Sequence, residues 1–398
     1  MGRLVVNQDK IDDLDKLIKL CPFGAMENVN GKLEINSGCK MCRLCVKKGP
    51  EGAVVYVDDE TAAIDKSKWK GVAVYVDHVE GQIHPVTFEL IGKAKELASK
   101  INQPTFAVFA GSGIKDKASE LLHYGVDEVF VYDYKPLRHF RIEPYSYVLE
   151  DFINKAKPSI MLIGATTIGR SLAPRVAARF KTGLTADCTV LDVKENTDLI
   201  QIRPAFGGNI MAQIINPNHR PQLATVRYKV MSAPKRSDEA HGNITYCRID
   251  EDKLISKIEV LDVTQKESEV NISDAEVIVA AGRGLKSQAD MKMIEHLAAL
   301  LKAQVASTRP LVEAGWVDAR RQIGLSGRTV KPKLIICCGI SGSVQFAAGM
   351  NNSDFIIAIN TDEKASIFNI ANIGIVGDMY KIIPRLIDSI KSGKGVNL

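Results

Sequence analysis

The chain lacks any run of apolar residues that approaches the roughly 18 needed for a transmembrane helix. It also lacks a strong charge of either sign, because 52 Lys and Arg residues against 47 Asp and Glu residues leave a formal net charge of +5 over 398 residues. So small an excess does not indicate a protein that binds nucleic acid or a membrane surface. Met1–Val6 has neither the regions of a secretory signal nor the Arg- and Ser-rich character of a transit peptide, so we expect a cytoplasmic protein.

Cysteine is scarce in most of the chain and concentrated in one part of it. Four of the eight cysteines fall within a short N-terminal stretch, namely Cys21, Cys39, Cys42 and Cys45. A disulfide framework spreads cysteines through a small secreted chain, whereas clustering in a large chain favours a metal site. The other four are expected to be small buried residues, namely Cys188, Cys247, Cys337 and Cys338.

Residues 3–57 contain an internal repeat with a period of 28 residues. The second copy reads Cys39-x2-Cys42-x2-Cys45-x3-Gly49-Pro50, and the first reads Ile11-x2-Leu14-x2-Leu17-x3-Cys21-Pro22. Both follow the spacing C-x2-C-x2-C-x3-C-P, which is the ligand pattern of bacterial ferredoxins. Short strands are predicted around the two copies, at Arg3–Val6, Leu33–Ile35 and Ala53–Val57.

Only one of the two ligand sets in this repeat is complete. In the ferredoxin pattern, the fourth cysteine of each run binds the other cluster, so the full set is Cys21, Cys39, Cys42 and Cys45. The positions of the other set hold Ile11, Leu14, Leu17 and Gly49, and we expect the three apolar side chains to fill core volume. Pro22 is expected to hold the turn of the fourth ligand.

This segment resembles a two-cluster ferredoxin that keeps a single 4Fe–4S cluster, which implies one-electron transfer. The alternative is a structural zinc site. Zinc usually takes two separated C-x2-C pairs, and an overlapping triple followed by a lone Cys-Pro matches that spacing less well.

After about residue 66, strands alternate with helices, which predicts an α/β architecture. Strands are predicted at Val72–Val76, Thr105–Ala110, Glu128–Tyr132 and Ser159–Ile163, and helices within Pro85–Ile101 and at Arg170–Phe180. The small-residue turn Gly164–Gly169 joins a strand to a helix. Such a turn either holds an anion at the helix N-terminus or lets the helix pack closely on its sheet, and the sequence leaves both open.

Three stretches of this region resemble the electron-transfer flavoprotein α subunits: Gly164–Arg179, Gly183–Cys188 and Arg203–Asn209. The resemblance implies that this domain packs against a β subunit and that its loops lie near a flavin or nucleotide carried by β. Arg203 is a candidate for reaching that flavin. The alternative is that Arg203 only orders the subunit interface.

The C-terminal region follows a charged, hydrophilic stretch at residues 250–270. Three predicted strands there open into turns rich in Gly, Ser and Asn: Glu276–Ala280, Lys333–Cys337 and Phe355–Ile359. Strands that end in such turns along one sheet edge make a nucleotide-binding crevice. Neither glycine pattern is a regular G-x-G-x-x-G, so the pattern alone predicts a nucleotide site without naming the nucleotide.

The family resemblance specifies this site as FAD-binding. The residues that it implies are Arg283, Thr308, Arg309, Ile323, Gly324, Leu325, Ser326, Ser341, Gly342, Ser343, Val344, Gln345, Phe346, Asn360, Asp378 and Met379. By that resemblance, Arg283 meets the pyrophosphate, Arg309 lies by the flavin ring and raises its potential, and Ser326 donates to N5. Two positions depart from the family: Leu325-Ser326 replaces Gln-Thr, and Phe346 replaces a His that would donate to flavin O2.

We therefore expect an α/β protein of three domains: a ferredoxin-like α+β domain over residues 1–66, an α/β domain over 67–265 that packs on β, and an FAD-binding α/β domain over 266–398. The resemblance implies an electron-transfer subunit rather than a self-contained enzyme. It would pass electrons between a β-subunit flavin or NADH and an acyl-CoA dehydrogenase-like flavoenzyme.

The fused cluster domain suggests an electron-bifurcating complex that also reduces ferredoxin. Within the family, the resemblance is strongest to the large flavoprotein subunits of caffeyl-CoA reductase complexes, and next to those of lactate dehydrogenase complexes. The sequence also leaves open a non-bifurcating flavoprotein, a flavin oxidoreductase that acts on its own substrate, and an N-terminal domain used only for docking.

Overall fold

The computed structural model describes residues 3–36, 38–57, 64–205, 210–264 and 271–393. The chain divides into two compact units, residues 1–65 and residues 66–398. In the part of the chain that the structure describes, no helix is long and apolar enough to cross a membrane.

The first unit is built from two small antiparallel pairs of strands and two short helices. Its elements are β1 (Arg3–Val6), α1 (Leu14–Lys19), β2 (Met26–Val29), β3 (Lys32–Ile35), α2 (Leu44–Lys48) and β4 (Val54–Val57), with β1 paired to β4 and β2 paired to β3. The three predicted strands are thus confirmed. Leu17 is buried in the core of this unit, and Ile11 and Leu14 pack half-buried against that core, as expected for the positions of the lost ligand set.

The second unit begins with a seven-stranded parallel sheet. The elements of this part are β5 (Val72–Tyr75), β6 (His78–Val79), β7 (Gln82–Ile83), α3 (Val86–Lys100), β8 (Thr105–Gly111), α4 (Ala118–Leu122), β9 (Glu128–Asp133), α5 (Ile142–Ala156), β10 (Ile160–Gly164), α6 (Thr167–Arg179), β11 (Leu184–Cys188), β12 (Val190–Val193), β13 (Leu199–Ala205), β14 (Ile210–Ile215), β15 (Gln222–Val226) and β16 (Asn243–Tyr246). The order in the large sheet is β11-β15-β10-β5-β8-β9-β16.

Helices cover both faces of this sheet, and each face has its own hydrophobic core. The central strands are buried on both sides, which explains their unbroken apolar sequences. The predicted strands of this region are confirmed. Helix α6 begins three residues earlier than predicted because Thr166 caps it, accepting a hydrogen bond from the Gly169 backbone N–H.

A smaller antiparallel sheet, β12-β13-β14, was not predicted from the sequence. Its strands are partly exposed, and Arg203 lies on β13. Residues 206–209, which complete the Arg203–Asn209 stretch, lie outside the described residues.

The C-terminal part is a five-stranded parallel sheet with helices on both faces. Its elements are β17 (Val277–Ala281), α7 (Met291–Leu300), β18 (Gln304–Ser307), α8 (Arg309–Glu313), β19 (Leu334–Cys338), α9 (Val344–Ala347), β20 (Ile356–Asn360), β21 (Ile373–Val376) and α10 (Met379–Lys391), in the sheet order β18-β17-β19-β20-β21. The mixed α/β class with parallel sheets is confirmed, and each predicted strand here is displaced by one residue.

The direction of winding changes between β17 and β19. The chain passes from β17 to β18 on one side and then returns to β19 on the other side. In open parallel sheets, the turns at the carboxyl ends of two such strands diverge and leave a crevice, where ligands bind. The fold therefore places a crevice after Ala281 and Cys338.

Glu89 on α3 is a buried carboxylate with a structural task. It accepts hydrogen bonds from the backbone N–H of Lys229, at 3.0 and 3.3 Å, and so holds the segment that follows β15. Burial is the main cause that raises the pKa of Glu89 from 4.5 to about 7. Because this pKa is higher in the folded chain than in the unfolded one, folding favours the protonated form.

We predict that Glu89 lowers the stability of the chain as the pH rises. Its contribution is greatest below pH 4.5 and is lost as the pH passes through 7, so the melting temperature should fall between about pH 5 and about pH 8. Glu89→Gln keeps a hydrogen-bond acceptor at this position without a charge. Over the same pH range, the melting temperature of this variant should fall by several degrees less than that of the parent chain. Scanning calorimetry checks this, with Glu295→Gln on the exposed face of α7 as the control. Parallel pH profiles of Glu89→Gln and the parent chain would contradict the prediction.

Candidate functional site

The crevice is formed by two backbone turns that touch each other. The Gly282 N–H donates to the Cys338 carbonyl at 2.9 Å, and the Gly284 N–H donates to the Gly339 carbonyl at 3.0 Å. A Cβ added to Gly284 would lie 2.7 Å from the Gly339 Cα, and Gly339 itself has φ +62°. Only glycine fits such a contact, which is why the two strand-to-helix turns carry it.

The resulting cleft has a volume of about 540 Å³, a size typical of sites for small molecules and cofactors. Its lining residues are Arg283, Gly284, Lys286, Thr308, Pro310, Gly339, Ile340, Ser341, Gly342, Ser343, Phe346, Ile359, Asn360, Thr361, Gly377, Asp378, Met379 and Tyr380. The structure thus brings together these predicted site residues: Arg283, Thr308, Ser341, Gly342, Ser343, Phe346, Asn360, Asp378 and Met379.

Polar and apolar groups divide the cleft. Ile340, Phe346 and Met379 are buried and supply an apolar surface. Exposed Arg283 and Lys286 supply two cationic groups, and helix α10 begins at the same place. Asp378 caps the start of α10 by accepting from the Tyr380 N–H at 2.9 Å, so the two cations are the groups that favour an anionic ligand. The cleft therefore suits a ligand with one charged part and one apolar part.

Nine of the lining residues are not among the predicted site residues, and two of these nine, Lys286 and Tyr380, contact each other. The Tyr380 hydroxyl donates to Asp290 at 2.7 Å and accepts from the Lys286 backbone N–H at 2.8 Å. The Lys286 ammonium also lies 5.1 Å from the centre of the Tyr380 ring. Tyr380 follows the predicted pair Asp378-Met379 directly, so its place in the first turn of α10 is the signal that could have found it.

The remaining predicted site residues lie outside the lining of this cleft: Arg309, Ile323, Gly324, Leu325, Ser326, Val344 and Gln345. Arg309 is exposed at the start of α8, where its Nε lies 2.7 Å from the Glu313 carboxylate. Val344 and Gln345 lie in α9, and residues 323–326 belong to a loop that contacts α9. The Leu325 N–H donates to the Gln345 carbonyl at 2.9 Å.

That loop, residues 322–328, is held by residues distant in sequence. Arg227 follows β15 and donates to the Leu325 carbonyl at 3.2 Å. The same guanidinium group lies 3.2 Å from Asp187, which also pairs with Arg170. Arg227 thus contacts both Asp187 and the loop and links the seven-stranded sheet to it. Within the described residues, the guanidinium group of Arg170 pairs with Asp187 only.

The Gly164–Gly169 turn has a packing role. A Cβ on Gly169 would overlap the Gly164 carbonyl oxygen, so α6 sits tightly on its strand. The Ala165 N–H donates to Val226, and Thr166 Oγ1 accepts from Gly169 and donates to the buried carboxylate of Asp77. These groups are already paired, which favours the packing interpretation over the anion site. Burial is the main cause that raises the pKa of Asp77.

In the first unit, all four clustered cysteines line one small cavity. Cys45 is buried, Cys21 and Cys39 are half-buried, and Cys42 is exposed. Backbone N–H groups face two of the sulfurs, from Ala25 to Cys21 at 3.3 Å and from Met41 to Cys39 at 3.4 Å. Such donors suit metal-bound thiolates, whose potentials depend on hydrogen bonds to sulfur.

The loop between Cys39 and Cys45 is shaped for wrapping a group. Met41 and Arg43 have φ +53° and +60°, which is uncommon for residues other than glycine. Among the described residues, however, no three His, Cys, Asp or Glu side chains are arranged as a metal site. The sulfurs therefore share a cavity without being arranged as ligands of a single ion.

The other predictions on single residues have mixed outcomes. Arg203 is half-buried, and its Nε lies 3.4 Å from the Pro204 carbonyl, a contact that tests neither of its suggested roles. The scattered cysteines are buried, as expected: Cys188, Cys247, Cys337 and Cys338.

Comparison with family models finds an electron transfer flavoprotein domain over residues 72–251 and an electron transfer flavoprotein FAD-binding domain over residues 271–351. A protein of Acetobacterium woodii named lactate dehydrogenase (NAD(+),ferredoxin) subunit LctC is 60% identical over 98% of this chain and 94% of its own length. The electron transfer flavoprotein α subunit of Clostridium acetobutylicum is 43% identical over 83% of this chain and 99% of its own length. The electron transfer flavoprotein α subunit of Megasphaera elsdenii is 43% identical over 84% of this chain and 100% of its own length.

Among solved structures, the match to a thiamine diphosphate-dependent 4-hydroxybenzoylformate decarboxylase of Rhodococcus jostii covers 82% of this chain and 60% of that one. With 10% identity and a TM-score of 0.19, this match gives no information about the fold or the function of the chain.

We predict that Arg227, and not Arg170, orders loop 322–328. Arg227→Ala leaves the Leu325 carbonyl without this donor, so backbone amides of the loop should exchange with solvent at least several-fold faster. Arg170→Ala is the matched control, because it removes the other ion pair of Asp187 and no contact with the loop. Hydrogen–deuterium exchange measured by mass spectrometry checks this, and equal exchange rates in the two variants would contradict the role of Arg227.

Proposed function

The chain belongs to the family of electron transfer flavoprotein α subunits, and we propose that it binds one FAD in the C-terminal cleft and one 4Fe–4S cluster at the N-terminal cysteines. The observation that carries the FAD proposal is the cleft at the switch point of the five-stranded sheet, which collects nine predicted site residues from five separate segments. Convergence of distant segments on one crevice is what a cofactor site requires.

The described side chains fit the parts of FAD. Arg283 and Lys286, the two cations that line the cleft, suit the pyrophosphate. Asn360 and Asp378 flank the cleft at the ends of β20 and β21 and suit the adenosine half. Residues 322–328 and Arg309 suit the flavin ring, where a cation favours the reduced, negatively charged state.

When bound, FAD would accept electrons in pairs and release them one at a time. The chain's own residues hold it and set its potential. Phe346 lies within α9 and is buried, and its side chain has no hydrogen-bonding group, so flavin O2 receives no side-chain donor from this position. Ser326 keeps the hydroxyl that the family places near N5.

The cluster proposal is supported by the complete ligand set and by the shared cavity of Cys21, Cys39, Cys42 and Cys45. The volume of the lost second site is filled: a Cβ on Gly49 would lie 2.9 Å from the Leu17 side chain, so these two former ligand positions are in contact. One cluster is therefore the most that this unit would hold.

We propose a β subunit as the permanent partner, with the assembly located in the cytoplasm. The relative named as a subunit of an NAD- and ferredoxin-linked lactate dehydrogenase matches nearly the whole chain, whereas the two α subunits match less of it. This favours a lactate dehydrogenase-type flavoenzyme as the further partner over the acyl-CoA type that was placed first from the sequence. Electron bifurcation would then divide electrons of NADH between pyruvate and ferredoxin.

The cluster is tested by analysis of iron and sulfide. We predict about four of each per chain in protein purified without oxygen. Cys42→Ser should lose most of the iron, because it removes one thiolate ligand. Cys247→Ser changes a buried cysteine of the second unit and should keep the iron. Zinc without sulfide would contradict the cluster and support the structural alternative.

The function is tested on the complex with its β subunit and flavoenzyme. NADH should reduce ferredoxin only when pyruvate is also present, because the favourable reduction of pyruvate by NADH drives the unfavourable reduction of ferredoxin by NADH. Absorbance of ferredoxin, with and without pyruvate or an unsaturated acyl-CoA, checks this. A response to acyl-CoA alone would restore the acyl-CoA type of partner. Reduction of pyruvate with ferredoxin left oxidised would show a non-bifurcating flavoprotein. Substrate turnover by the isolated chain would show a self-contained oxidoreductase.

A further inference from the structure

Gln322 and Ser326 form a side-chain hydrogen bond within loop 322–328. The Gln322 Nε2 lies 2.9 Å from the Ser326 Oγ. Gln322 is 7% exposed, whereas Ser326 is exposed. A buried amide thus reaches from the base of the loop to a hydroxyl at its surface.

The backbone of Gln322 is held as firmly as its side chain. Its carbonyl accepts from the Arg328 N–H at 2.8 Å, and its N–H donates to the Ala319 carbonyl at 3.1 Å. A parallel β-bridge also joins Gln322 to Ser307. The backbone of Gln322 is therefore fixed at the base of the loop, and its buried side chain reaches Ser326 from there.

This bond determines what the Ser326 hydroxyl can do. A hydroxyl has one proton and two lone pairs, and an amide N–H uses one of the lone pairs. The proton of Ser326 must then point away from the amide nitrogen. Ser326 makes no other side-chain hydrogen bond within the described residues, so its proton is available to a ligand.

We propose that Gln322 is a positioning residue, which makes Ser326 a hydrogen-bond donor toward the flavin ring. The inference rests on the proposed function, which places the ring at this loop. Gln322 is the one amide side chain in residues 322–328, since Leu325 stands where the family has glutamine. A donor held at N5 stabilises the flavin that has gained one electron, because N5 then carries negative charge and no proton, and so favours the one-electron reduction.

The test uses the complex with the β subunit and its bound flavins. In Gln322→Met, a side chain of similar length lacks the amide, so the hydroxyl loses its fixed orientation. We expect unchanged FAD content and an equilibrium constant for the one-electron reduction of this flavin by a redox dye that falls about five-fold, the factor that corresponds to one hydrogen bond of about 1 kcal/mol. Ser326→Ala should give at least as large a decrease. Gln82→Met, at an exposed site on β7, is the matched control and should change nothing.

The double variant distinguishes positioning from an independent effect. If Gln322 acts only through Ser326, then Gln322→Met combined with Ser326→Ala should match Ser326→Ala alone. Additive decreases would overturn the proposal, as would a shift in Ser326→Ala with none in Gln322→Met. With FAD bound, no shift in Ser326→Ala would also overturn it and leave the FAD site standing. A parent complex without FAD from this chain would instead refute the proposed function.

Discussion

The contact between Gly284 and Gly339 is the constraint on which the C-terminal site depends. Two strand-to-helix turns meet there backbone to backbone, and a single added methyl group would force them apart. The turns that touch are part of the lining of the cleft, together with exposed Arg283 and Lys286 and buried Phe346. The preference of the cleft for a ligand with an anionic part and an apolar part follows from that geometry.

Much of the fold could be predicted because local patterns report it. Buried parallel strands read as apolar runs, and the small-residue turns after them marked the edge where the cleft lies. The sheet β12-β13-β14 escaped prediction, since half-exposed strands in a small antiparallel sheet have no unbroken apolar run. Arg227 and Gln322 escaped for a different reason. Their roles depend on contacts with Leu325 and Ser326 that only the folded chain creates. The sequence also could not distinguish the two interpretations of the Gly164–Gly169 turn, an anion site and close helix packing. The hydrogen bonds of Ala165 and Thr166, which favour packing, are seen only in the folded chain.

The two units differ in how firmly the sequence and the structure agree. In the second unit, predicted strands, cleft and family models coincide. In the first, the repeat selects four cysteines and the structure places them around one cavity, but not as ligands of one ion. The proposed cluster therefore rests on the complete set of four cysteines and on the cavity that they share. The proposal that this chain carries two redox groups rests on that reasoning for the first unit and on the cleft for the second.

Whether the cleft shaped by Gly284 and Gly339 holds FAD is measured most directly by flavin content. FAD is released from the purified complex with the β subunit and counted per complex, for the parent chain, for Gly284→Ala and for Gly374→Ala. The Cβ of the last variant meets only the Phe368 side chain, so it serves as the control. We expect Gly284→Ala to lose one equivalent of FAD, while the FAD content of Gly374→Ala and the iron content of both variants stay unchanged. Equal FAD content in all three complexes would contradict a site in this cleft.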